Sequence, residues 1–92
     1  MIVSFEHKGL ERFYKTGSKS GIQPAHALKL SLILSLLEIA KSADDMNVPG
    51  VGLHPLKGDL RGYFSVKVSG NWRLIFKPIG ENMEFVDYLD YH

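Results

Sequence analysis

The apolar positions of the chain change period part-way along it. Up to about residue 42 they recur at helical spacing, and from Tyr63 onward they alternate. Leu10, Phe13 and Tyr14 share one side at i, i+3, i+4, which predicts a helix over about 7–15, closed by Thr16-Gly17-Ser18. A short edge strand, Ile2 to Phe5, precedes it. Pro24 fits only the first turn of a helix, so a second helix is expected from there to about Ser42. It carries two apolar stripes. Leu28, Leu32, Leu36 and Ile39 form one, and Leu30, Ile33, Leu34 and Leu37 the other, leaving only Lys29, Ser31, Ser35 and Glu38 between them. One stripe can cover a sheet, and the other needs the first helix or a partner chain over it.

Asp44 to Leu53 reads as an irregular connection, after which strands follow at Tyr63–Val68, Trp72–Lys77 and Met83–Leu89. The register of the first pair can be argued. A two-residue Gly70-Asn71 loop would set Lys67 opposite Leu74 and mix polar with apolar residues on both faces. A three-residue Ser69-Gly70-Asn71 loop instead pairs Val68 with Trp72, Val66 with Leu74 and Phe64 with Phe76. The other face then holds Tyr63, Ser65, Lys67, Arg73, Ile75 and Lys77. This second register is expected, with Asn71 in the left-handed conformation and Trp72 in the core.

At 92 residues the chain has room for one core, so a single domain over 1–92 is expected. It contains no cysteine, which removes disulfides and thiolate metal sites and suits the cytoplasm. The N-terminus meets charge at Glu6 and has no export pattern. The apolar run from Leu30 to Ala40 is broken by Ser31, Ser35 and Glu38 and is too short to span a bilayer, so no membrane partner is expected.

Charge is unevenly placed along a chain of net +1. Residues 54–77 hold Lys57, Arg61, Lys67, Arg73 and Lys77 against Asp59 alone, a local +4, whereas residues 78–92 hold four carboxylates and no cation. A basic strip therefore precedes an acidic end. On a sheet face, Lys67 and Lys77 can hold phosphates and Tyr63 can stack on an unpaired base, as in RNA-binding platforms, although exposed cations are also ordinary on strands.

His54, held extended by Pro55, is suited to proton transfer, and Lys57 three residues later can hold a phosphate. Both residue types are equally at home on a solvated loop. Asp90 and His92 fall on one side of an extended end, where a carboxylate can orient an imidazole. His7 and His26 belong to no constellation and read as surface residues. No His-x-x-x-His or Glu-x-x-His spacing, phosphate-binding glycine loop or nucleophilic serine motif is present, so neither a metal nor another cofactor is expected.

The runs Leu53-His54-Pro55-Leu56-Lys57-Gly58-Asp59, Gly62-Tyr63-Phe64-Ser65-Val66, Asn71-Trp72-Arg73-Leu74-Ile75-Phe76 and Val86-Asp87-Tyr88 through Asp90-Tyr91-His92, taken in order, resemble the HigB toxins of the RelE/ParE superfamily. The resemblance spans essentially the whole chain and is most specific from Leu53 onward. It implies an α+β fold of two N-terminal helices packed on a curved, mainly antiparallel sheet. It also implies a ribosome-dependent endoribonuclease that cuts translated messenger RNA and is neutralised by a helix-turn-helix antitoxin, HigA. Operator DNA would be met only through the antitoxin complex. His54, Lys57, Arg73, Asp90, Tyr91 and His92 occupy the family's active-site positions, with the histidines moving protons and the cations holding phosphate. The leucine-rich second helix is then expected to meet the antitoxin. Two rival functions share the fold: a ParE-like inhibitor of DNA gyrase, and an inactive antitoxin-binding module.

Overall fold

A computed structural model describes residues 1–91, and His92 lies outside the described residues. Helix α1 spans Lys8–Thr16 and helix α2 spans Ala27–Ile39; four strands follow, β1 His54–Pro55, β2 Phe64–Ser69, β3 Trp72–Ile79 and β4 Asn82–Asp90. The strands form one antiparallel sheet in chain order, with the helices packed against it. The α+β architecture expected from the sequence is therefore the one observed.

Local chemistry sets the helix limits. His7, expected as a bystander on the surface, is the N-cap of α1: its Nδ1 accepts the Leu10 amide at 2.9 Å, satisfying one of the orphan donors of the first turn. At the other end Gly17 takes a positive φ of 80° and its amide reaches the Phe13 carbonyl. Pro24 opens a 3-10 turn, Pro24–His26, that leads into α2. The helix stops at Ile39, short of Ser42, because Ala40 is extended and the Lys41 amide is taken by Asp45 Oδ2 at 2.9 Å. The segment between the helices folds closely against α1, where Gly9 meets the backbone of Gly21 with no room for a Cβ on either.

The two stripes of α2 have different fates. Leu30, Ile33, Leu34 and Leu37 are buried and join Leu10, Met46, Val66, Leu74, Phe76, Met83 and Val86 in the core. Leu28 and Ile39 stay 79% and 74% exposed, with Leu32 exposed and Leu36 half-buried between them. Helix α1 does not cover that stripe. It is tied to α2 elsewhere, by the Tyr14 hydroxyl donating to Glu38 Oε1, which also accepts the Ile2 amide at 3.3 Å.

In the β2–β3 hairpin Phe64 faces Phe76, Val66 faces Leu74 and Lys67 faces Arg73, as the sorting of faces requires. The turn itself differs. Ser69, not Val68, sits opposite Trp72, the register shifts between Lys67 and Ser69, and Gly70 rather than Asn71 has the positive φ, 56°. Glycine takes that conformation without a Cβ penalty, so the loop shortens to two residues and a bulge at Val68 restores the register. A second shift in the β3–β4 ladder, between Ile75 and Lys77, places two β4 residues, Phe85 and Val86, opposite one on β3. Such bulges bend and twist a sheet. The expected edge strand at Ile2–Phe5 is an irregular segment running parallel to β4, bridging Ile2 to Met83 and Phe5 to Val86.

Candidate active site

The site grows out of strand β1 and the turn after it. Pro55 biases His54 to the extended form, in which it pairs with Ser65 on β2. Lys57, also extended, precedes a 3-10 turn at Gly58–Leu60, and the Leu56 amide bonds the Tyr63 carbonyl at 2.9 Å, which folds the connection back to β2. From below, the Lys67 amide reaches the Val51 carbonyl. The result is an open cleft of about 570 Å³ lined by His54, Lys57, Ser65, Lys67, Arg73 and Tyr91, with Gly52, Pro55 and Leu56 completing the wall.

Arg73 is held rather than waving: its Nη1 donates to the Gly70 carbonyl at 2.8 Å and to the Trp72 carbonyl at 3.2 Å. Tyr91, just beyond β4, is fixed by its amide to the Asn71 carbonyl at 2.7 Å, with its ring largely exposed beside the cleft. Among the described residues, three cations and one histidine face this space, and no carboxylate is among those lining it. Such a surface attracts a phosphodiester and stabilises added negative charge on it, and it repels a metal cation.

The structure thus gathers His54, Lys57, Arg73 and Tyr91, and adds Lys67 from the expected RNA platform. Tyr63 and Lys77 lie apart from the cleft, paired with each other, the ammonium 5.7 Å from the ring centre. Asp90 does not line the cleft. It sits opposite Trp72 in the ladder, a register that turns it to the helix side of the sheet. His92 is outside the described residues.

Two features escaped the sequence. Ser65, 7% exposed, lies beside His54 as its partner in the ladder, and a two-residue strand leaves no periodic trace of that pairing. His26, expected on the surface, bonds the Tyr88 hydroxyl through Nδ1 at 2.6 Å and packs its ring edge on Trp72. Burial pushes the Tyr88 hydroxyl's pKa above its usual value. Its partner is 62 residues distant in the chain, beyond any local signal.

Comparison with known proteins decides the family. The model of the RelE-like toxin of type II toxin-antitoxin system HigB matches residues 3–92. The chain belongs to this HigB-like family. Endoribonuclease HigB of Proteus vulgaris is 37% identical over 92 residues, covering all of both chains. Toxin HigB-1 of Vibrio cholerae is 30% identical over 95 residues, covering all of this chain and 98% of its own. A crystal structure of a histidine-to-glutamine mutant of YafQ from E. coli matches the fold with TM-score 0.62 at 23% identity, over 96% of this chain and 89% of that one. Membership of a HigB-like toxin family brings an antitoxin partner with it.

Proposed function

We propose that this HigB-like toxin is a ribosome-dependent endoribonuclease that cuts translated messenger RNA by metal-independent attack of a 2′-hydroxyl on the neighbouring phosphate. The observation that carries the reading is the shared cleft of His54, Lys57, Arg73 and Tyr91, cationic and, among the described residues, lined by no carboxylate. The Proteus vulgaris relative, an endoribonuclease, points the same way.

In this reaction the 2′-oxygen loses a proton and bonds phosphorus, the bond to the 5′-oxygen breaks, and that oxygen takes up a proton. The products are a 2′,3′-cyclic phosphate and a 5′-hydroxyl. Lys57 and Arg73 hold the phosphate and the charge that builds on its oxygens, His54 and His92 exchange the protons, and Tyr91 positions the RNA, while Asp90, outside the cleft lining, acts only through its chain neighbour His92, whose imidazole it orients. Lys67, Tyr63 and Lys77 extend the RNA-binding face. The antitoxin is of the HigA-like helix-turn-helix kind, docking on the exposed Leu28, Leu32 and Ile39 of α2. Operator DNA is reached through that complex, and the setting is the cytoplasm. Among the described residues no helix is long and apolar enough to cross a membrane.

The test maps 5′ ends of a translated message shortly after induction, for the unaltered chain, His54→Ala and a chain lacking His92. Cuts that need translating ribosomes and vanish in both variants are expected. Intact messages together with inhibited supercoiling would overturn the proposal in favour of gyrase.

A further inference from the structure

The β3–β4 bulge contains an anomaly that neither the cleft nor the core explains. Phe85 has φ of 55°, the one non-glycine residue with positive φ among the described residues. A bulky side chain in that region strains the backbone, and such strain is kept where the surrounding structure enforces it and the site uses it. Here the enforcement is visible: the Phe85 amide donates to Ser4 Oγ at 2.8 Å, and the segment 1–6 bonds β4 on both sides of the bulge.

The strained conformation does not serve burial, since the Phe85 ring is half-exposed while Met83 and Val86 fill the core. It brings Phe85 beside Tyr63, ring centres 6.4 Å apart and tilted by 39°, with the Lys77 ammonium over the Tyr63 ring. Two aromatic rings and a cation are what single-stranded nucleic acid is held by: bases stack on the rings and phosphate meets the charge. Tyr63 and Lys77 share the sheet face of Ser65, Lys67 and Arg73, so the platform continues the cleft across the same surface.

Charge along that face assigns the two halves of a nucleotide. Glu84 lies opposite Lys77, and Asp87 opposite Ile75. These carboxylates keep phosphates off the β4 side and leave it to the neutral base, while the backbone follows Lys67, Arg73 and Lys77. Arg73 and Lys77 are four residues apart on one strand, about 13 Å. Stacked nucleotides advance about 3.4 Å each and unstacked ones further, so a base on the platform belongs to a nucleotide between two and about four from the phosphate held in the cleft.

We infer that Phe85, Tyr63 and Lys77 form a base-stacking subsite for single-stranded RNA, separated from the cleavage cleft by two to about four nucleotides. The inference rests on the endoribonuclease reading above, and the subsite chooses by stacking strength, which the larger ring surface of a purine raises.

The experiment cleaves a message pool, randomised at four nucleotides on each side of a fixed cut site, on translating ribosomes. It compares the unaltered chain, Phe85→Gly, Tyr63→Leu, Tyr63→Phe and His54→Ala. Phe85→Gly removes the ring where glycine fits the backbone, so its thermal midpoint guards against misfolding. The unaltered chain should prefer a purine at one position two to four nucleotides from the cut. Phe85→Gly and Tyr63→Leu should lose that preference and raise KM about tenfold with kcat nearly unchanged, while Tyr63→Phe keeps both. Unchanged preference and KM in Phe85→Gly and Tyr63→Leu, with cleavage still abolished in His54→Ala, would overturn the subsite and leave the endoribonuclease reading standing. No cleavage by the unaltered chain would remove both.

Discussion

Arg73 combines two roles in one side chain, since the guanidinium that faces the cleft is also braced on the Gly70 and Trp72 carbonyls. A donor fixed in advance loses little freedom when phosphate arrives, which is where electrostatic catalysis gains most. Arg73→Ala should therefore lower kcat for message cleavage by about 100-fold or more. Arg73→Lys should recover only part of this, because an ammonium restores the charge without the planar fork. A kcat for Arg73→Ala within threefold of the unaltered value would remove Arg73 from the site. At this scale the sequence was readable where the chemistry is local. His54 and Lys57 sit three residues apart on one extended segment, and both reach the cleft. His26 carries no local mark of its role because its partner, Tyr88, comes from the far end of the chain, and His7 carries none because histidine is not among the usual N-cap residues.

Among the elements, α2 divides most sharply between the two sides of the molecule. Its hydrophobic pattern announced two stripes, and nothing in the pattern could say which would face the sheet; that depends on where α1 and the 3-10 turn at Pro24–His26 set the helix. The difference can be measured. Ile33→Ala should cost about 2–5 kcal/mol in chemical denaturation, since a fully buried side chain leaves a cavity. Leu28→Ala, at a side chain 79% exposed, should stay within about 0.5 kcal/mol for the free chain. Equal losses at both positions would contradict this division of the helix. The β2–β3 hairpin shows the complementary limit of sequence reading. Its pairing was legible because only one register separates polar from apolar residues, but its turn was not, since Gly70 and Asn71 both accept the left-handed conformation and a bulge hides the choice.

For the whole molecule, the link between the N-terminal segment, α1 and α2 sets a pH window for stability. Hydrogen bonding from Tyr14 holds the Glu38 carboxyl below its usual 4.5, assisted by the Ile2 amide and the terminal charge. Burial, reinforced by Glu38, pushes the Tyr14 hydroxyl up to about 12. A lowered carboxyl contributes stability above its unfolded pKa and loses it as pH falls through the folded value, so melting temperature should drop below about pH 4.5. A raised phenol contributes below its unfolded value of 10.0 and loses that stability as pH rises toward about 12. Melting temperatures of the unaltered chain and Tyr14→Phe should therefore converge above pH 10, and a gap constant across that range would refute the link. The same segment matters to assembly in time. Residues 1–6 close the outer edge of β4 by bonding Met83 and Val86, partners some 80 positions away, and the cleft is complete only once Tyr91 is fixed to Asn71. Contacts so distant in sequence are slow to form. A growing chain therefore has its helices and first hairpin well before it has a finished cleft, so a chain that stops short of its last strand carries the basic strip without the closed site.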